Sequence, residues 1–182
     1  DFKGEEMTLP EALKNKISRE EDLFMKRLRA FQYANFKLSE FISKIKNSDI
    51  GDHTIIAVTG DHNFWGFLNY DQKETFLKYT VPFYIYAPKS LSVSDYDSKK
   101  LGSHEDIFST IYNISLSEVE YLSFGEDLFS ESESYAINSD LQASQEGLLY
   151  KGVPYKWKEV PWVKEKVSEK DLNLTPLRKR YR

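Results

Sequence analysis

A layered α/β fold with a largely parallel sheet and a late β-hairpin is the architecture this sequence predicts, on three observations. Apolar residues recur at helical spacing over residues 21–47. Two compact apolar runs rich in β-branched and aromatic residues follow at 54–59 and 81–86, with a second helical pattern after them. Weak alternation sets in late, at 134–138 and 148–158.

The first helix carries Phe24, Leu28, Phe31, Leu38, Phe41, Ile42 and Ile45 as its apolar set, with Lys26, Arg27, Lys37, Lys44 and Lys46 largely on the wet side. The polar stretch 48–52 ends it. Residues 54–59 (TIIAVT) then read as a buried parallel strand, since the run is short, apolar and β-branched. An aromatic-rich loop over 63–70 and a polar stretch to Lys78 lead to the next strand, 81–86, with Pro82 near its start where a missing donor is tolerated. Residues 88–102, rich in Ser, Asp and Lys, read as a surface loop. Ser103 with Asp106 three residues on is a loose capping-box signal for a helix carrying Ile107, Ile111 and Ile114. Lys151-Gly152 is the turn candidate within the late alternation. Beyond Pro161 the chain becomes charged and aperiodic, and the basic end 178–182 reads as a solvated tail in preference to a phosphate or membrane patch.

Composition narrows the function. The 182 residues are 40% hydrophobic and 15% aromatic, enough for one sizeable core. A net charge of −4 offers no broad basic footprint, which argues against nucleic acid as a partner and leaves small polar or sugar-like substrates open. With no cysteine, the chain has no disulfide, thiolate metal site or cysteine nucleophile. No run approaches the ~18 apolar residues of a membrane span, and the start at Asp1, in a polar stretch, points to processing or an internal boundary.

Gly-Asp-His occurs twice, at 51–53 and 60–62, on either side of the first strand. Six strand residues span about 20 Å, so the copies sit at opposite edges of the sheet. Ligands of open α/β sheets bind beyond the carboxyl ends of strands, where Asp61 and His62 lie. The first copy reads as a helix-to-strand turn. Where a chain leaves the extended conformation, adjacent side chains can converge on one ion instead of alternating faces. A carboxylate with an imidazole suits Zn²⁺ or Mn²⁺ ahead of Mg²⁺ or Ca²⁺, and Gly60 permits a tight turn before them. The competing reading is a strand-end Asp that caps a turn beside a His that packs.

Residues 54–62 (TIIAVTGDH), 81–88 (VPFYIYAP), 102–111 (GSHEDIFSTI) and 123–129 (SFGEDLF), in that order, resemble the C-terminal half of sulfatase-like enzymes of the alkaline phosphatase superfamily. The subgroup most similar is that of lipoteichoic acid synthases and related phosphoglycerol or phosphoethanolamine transferases. The helix at 27–41 (RLRAFQYANFKLSEF) resembles the one preceding that family's metal-binding strand. The resemblance implies a C-terminal portion of an alkaline-phosphatase-like fold, with Asp61 and His62 as ligands of the catalytic divalent metal. It implies further ligands, and a threonine, serine or formylglycine nucleophile, on upstream segments that this chain lacks. Some members have a histidine where His104 stands, on the loop before the last core helix, able to reach the phosphate or leaving group. The other reading of His104 is a helix N-terminus and nothing more.

Two positions depart from the family pattern. Ser109 replaces a frequent proline, a change at the helix start. Asn63 replaces the glycine usual in sulfatases, which moves the resemblance toward the transferases, with Asn63 and Trp65 lining the substrate pocket. For Trp65 a loop anchor packed on the core is the equal alternative. The organisation expected is a polar segment at 1–20, the C-terminal part of a sulfatase-like catalytic domain at 21–158 and a charged tail at 159–182. The expected function is metal-dependent chemistry on phosphate or sulfate esters, lipid or glycan linked, requiring the N-terminal half of the same domain as partner. The resemblance implies an extracytoplasmic location and a membrane-anchored parent. The alternatives are a degenerate module of the same fold without turnover, and an unrelated α/β protein in which Asp61-His62 is only a turn.

Overall fold

The structure, a computed structural model, describes residues 4, 7–64, 66–91, 93, 97, 99–116, 118–157 and 164–168. It divides into two units, Asp1–Pro88 and Lys89–Arg182. Trp65, Lys158 and the basic end 178–182 lie outside the described residues.

In the first unit a short helix α1 (Glu11–Lys14) precedes the long helix α2 (Glu21–Lys46). Glu21 and Asp22 in the first turn of α2, with Lys44 and Lys46 in the last, complement the helix dipole. Phe24 is buried, and Leu28, Leu38, Ile42 and Ile45 are half-buried, as the 3.6-residue period requires. Phe31 and Phe41 belong to the same apolar set yet are 62% and 57% exposed. A 3-10 turn at Gly51–His53 carries the chain into strand β1 (Ile56–Thr59), so the first Gly-Asp-His is the helix-to-strand turn its position suggests.

Strand β2 (Phe83–Tyr86) pairs with β1, register Ile56↔Tyr86 to Thr59↔Phe83. The pairing is antiparallel, which corrects the expectation of a largely parallel sheet: every strand pair among the described residues is antiparallel. A short apolar run encodes an extended backbone but not the direction of its hydrogen-bonding partner. Along β1, half-buried Ile56 and Val58 alternate with exposed Ala57 and Thr59, the pattern of a strand covered on one face. Between the strands, a 3-10 turn at Gln72–Glu74 runs into α3 (Thr75–Tyr79), capped reciprocally by Asp71 and Glu74. Leu9, Phe24 and Phe76 are the buried hydrophobics of this unit.

The second unit starts from helix α4 (His104–Ser115) and a five-stranded antiparallel sheet. The capping box is present in full: Ser103 caps, and Asp106 returns a bond to the Ser103 amide at 2.6 Å. Ser103 Oγ also accepts from the amide of Ile137 at 2.7 Å. The buried face of α4 is polar, consisting of Asp106, Ser109 and Thr110, whereas Ile107, Ile111 and Ile114 are only half-buried. The loop over 121–129 accounts for this, because its amides bond to that face. Glu126 N donates to Asp106 Oδ1 at 2.8 Å, Leu128 N to Thr110 Oγ1 at 3.0 Å, and Ser109 Oγ bonds to Ser123 Oγ.

Strands β3 (Ala136–Ile137), β4 (Leu141–Ala143), β5 (Gly147–Tyr150), β6 (Val153–Trp157) and β7 (Lys164–Lys166) pair in chain order. The expected hairpin is β5–β6. Tyr150 pairs with Val153 across Lys151 (φ 48°) and Gly152 (φ 77°), two successive left-handed residues, as a type I′ turn demands. Leu141, Ala143, Leu148 and Tyr155 are buried on this sheet. β3 falls in the alternating stretch 134–138; the sheet exceeds the expected strands by β4 and β7, the last falling in the segment read as charged tail.

Candidate metal centre

The site begins where β1 ends. Thr59 Oγ1 donates to Pro82 O at 3.0 Å, which ties the end of β1 to the chain entering β2. Gly60 has no left-handed φ; in this stretch Gly66 does, at 75°. Asp61 turns back on the backbone, its Oδ1 accepting from the amide of His62 at 2.9 Å. That bond leaves Oδ2 directed elsewhere, 3.5 Å from Nε2 of His62. Both side chains are open to solvent, 87% and 67% exposed.

The imidazole is held from its other side. Nδ1 of His62 lies 2.6 Å from the carbonyl oxygen of Asn63. A carbonyl only accepts, so Nδ1 carries a proton, and in the neutral ring Nε2 is then the nitrogen with the lone pair. Outer partners of this kind fix the tautomer of metal-binding histidines. The free donors are therefore Nε2 and Oδ2, 3.5 Å apart. Asp61 Oδ2 and His62 Nε2 are the two atoms that would hold a metal ion. The pair fits a divalent ion. It remains a pair, because among the described residues no group of three or more His, Cys, Asp or Glu side chains gathers.

Asn63 is half-buried and its amide is committed to the loop. Nδ2 donates to Tyr70 Oη at 3.3 Å and to Leu77 O at 3.1 Å, while Oδ1 is buried with no hydrogen-bond partner among the described residues. Burial is the main cause that raises the Tyr70 hydroxyl above the ordinary tyrosine range. His104 is not on a loop: it is the first residue of α4, exposed, its backbone placed by the Ser103 cap and the Ser103–Ile137 bonds. Asp61 and His62 belong to the first unit and His104 to the second. His53 ends the turn before β1, whereas Asp61 and His62 follow it, on the far side of a strand about 13 Å long.

Sequence reasoning missed what anchors the loop after the pair. Phe64 meets Phe24 edge-on at 5.6 Å between ring centroids and stacks on Phe67 at 4.6 Å. The aromatic-rich composition of 63–70 was the available signal, since loop aromatics cost free energy in water unless they pack.

No family model matches the sequence, and no curated protein matches it. Among solved structures it is similar to the lipoteichoic acid synthase LtaP from Listeria monocytogenes, with a TM-score of 0.56 and 21% identity, over 97% of this chain and 45% of that one. The chain thus spans less than half the length of the structure it matches. At this identity the likeness establishes architecture alone: the chain has the mixed helix-and-sheet fold of a part of that structure.

Proposed function

We propose that this chain is the C-terminal part of a metal-dependent enzyme acting on phosphate or sulfate esters, with phosphoester transfer to or from a lipid- or glycan-linked glycerophosphate as the favoured chemistry. The observation that carries the reading is the locked imidazole of His62, whose Nε2 lone pair lies 3.5 Å from Asp61 Oδ2. Asp61 Oδ2 and His62 Nε2 are the atoms that would hold the ion, Mn²⁺ or Zn²⁺ ahead of Mg²⁺ or Ca²⁺. When bound, the ion supplies Lewis acidity, neutralising charge that develops on an ester oxygen and lowering the pKa of an attacking hydroxyl. The chain's own residues prepare the pocket: Asp61 and His62 present two donors, and the Asn63 carbonyl holds the ring. Trp65 is the residue of this loop proposed to line the substrate, since the Asn63 amide is committed to Tyr70 and Leu77, and His104 is a separate candidate for contact with a phosphate, carried by the second unit. The nucleophile and remaining ligands come from the other half of the domain, the parent protein being anchored in a membrane with this domain on the extracytoplasmic side. Among the described residues no helix is long and apolar enough to cross a membrane.

The two-membered ligand set also supports a second reading, a sulfatase-fold module without turnover. In either case this chain alone releases no nitrophenol from nitrophenyl phosphate, phosphodiester or sulfate, because it lacks a nucleophile. The test of the metal reading uses the chain's three histidines as internal controls. On titration with Mn²⁺, the ring signals of His62 should broaden first and weakly, those of His53 and His104 later, and Asp61→Ala should remove the difference. Broadening of His53 or His104 ahead of His62, or tight binding that survives Asp61→Ala, would overturn the assignment.

A further inference from the structure

We infer that the segment 16–19, far from the ligand pair in sequence, is a positioning strap whose Ser18 and Arg19 side chains hold the loop after His62 so that the Asn63 carbonyl stays on the imidazole. The inference rests on the reading of His62 as a ligand, because only there does the ring's tautomer matter.

The strap runs beside the loop as an extended pair. Asn69 N donates to Lys16 O at 2.7 Å and Ser18 N to Phe67 O at 3.0 Å, flanking a bridge between Ile17 and Leu68. Two side chains then converge on a single backbone atom: Ser18 Oγ donates to Gly66 O at 2.9 Å and Arg19 Nε to the same oxygen at 3.1 Å. Gly66 is the left-handed residue of the loop, where the chain reverses, so gripping its carbonyl fixes the peptide at the bend. The Lys16 ammonium bonds Glu74 beyond the loop, and the Phe24–Phe64–Phe67 stack pins the loop to the start of α2. Asn63 sits immediately before this gripped stretch. Its side chain is tied to Tyr70 at the loop's far end and to Leu77 of α3, so its carbonyl keeps its place on Nδ1 of His62 while both ends of the loop keep theirs. The strap's contacts are mostly exposed, and their grip is of a size that two substitutions can release.

The double substitution Ser18→Ala/Arg19→Ala removes both bonds to Gly66 O and leaves the backbone pairing possible. Two hydrogen bonds of ordinary net strength predict at least about fivefold faster exchange of the Asn69 amide, with the central amides of α2 unchanged. The decisive readout is the ¹⁵N spectrum of the His62 ring. The unaltered chain should show Nδ1 protonated and Nε2 not, and the double variant a mixture of the two tautomers, with Arg19→Lys alone retaining most of the original pattern. Unchanged Asn69 exchange, or faster exchange with the His62 tautomer intact, would overturn the inference. A uniform rise in exchange across α2 would also overturn it, since the residues would then support the whole unit and not the loop. These readouts need no metal, so a chain in which Mn²⁺ leaves His62 sharp would sink the metal reading by a separate observation.

Discussion

Replacing Asp106 separates what a buried carboxylate does for this fold from what its bulk does. Asp106 is 1% exposed and receives two backbone amides, Ser103 N at 2.6 Å on Oδ2 and Glu126 N at 2.8 Å on Oδ1. One bond closes the cap of α4 and the other pins the loop over 121–129 to the helix. Hydrogen bonds to a charged group contribute roughly 1.5–3 kcal/mol each, and an orphaned buried donor costs roughly 1–3 kcal/mol. Asp106→Ala leaves both amides without the acceptor and should cost about 3–5 kcal/mol. Asp106→Asn keeps one carbonyl oxygen but turns an NH₂ toward the other amide, so it should cost about 2 kcal/mol. Against a whole-domain stability of about 5–15 kcal/mol, both losses are large. Urea unfolding followed by circular dichroism, with the slope held constant between variants, reads them directly. The reasoning fails if both variants unfold within about 0.5 kcal/mol of the parent, or if asparagine costs more than alanine.

Gly125→Ala should destabilise the same unit more than Gly102→Ala. A Cβ at 125 would overlap the backbone of Glu105 and lie 2.7 Å from Asp106 Cα, whereas at 102 its nearest neighbour is the movable Leu128 Cδ2, also at 2.7 Å. Urea midpoints should therefore fall in the order parent, Gly102→Ala, Gly125→Ala, the last by about 1–3 kcal/mol. In the first unit, the side-chain hydrogen bond from Lys16 is the main cause that holds the Glu74 carboxyl below its ordinary range. A depressed carboxylate contributes stability above its unfolded pKa of about 4.3 and loses it as pH falls through the lower folded value. Glu74→Gln should thus cost on the order of 0.5 kcal/mol at pH 7 and nothing once the parent's carboxyl is protonated; a difference that persists at pH 2 would refute the assignment.

What was legible in the sequence is what is decided locally. The helix over 21–47, the Ser103–Asp106 cap and the Lys151-Gly152 turn each follow from residues within a few positions of one another, and the structure contains all three. The direction of the β1–β2 pair is settled by pairing between residues 24–30 positions apart, and no property of TIIAVT encodes it. Helix α4 was legible, but the packing of its faces was not. Its isoleucines carry the period, but the face that closes is the polar one, because the loop over 121–129 supplies amides that match Asp106 and Thr110. Strands β4 and β7, three residues each, are too short for alternation to register. At the proposed site, the place of Asp61 and His62 after a strand was legible, while the carbonyl that meets the His62 ring belongs to the backbone and has no signature in sequence.

That carbonyl also decides what belongs between the two ligands. With Nδ1 committed to Asn63 O, the remaining ring nitrogen faces Asp61 Oδ2 at 3.5 Å with a lone pair, and the carboxylate faces it with another. Two electron-rich atoms at that separation repel unless something positive lies between them. Solvent relieves part of the repulsion, since both side chains are open to water. A divalent ion held between the two atoms would relieve the rest. A turn that merely capped a strand would have no use for this arrangement, because a cap needs only the Oδ1 bond to the His62 amide. The second oxygen and the oriented ring are surplus to that role, and that surplus is what supports the proposal that the pair holds a metal.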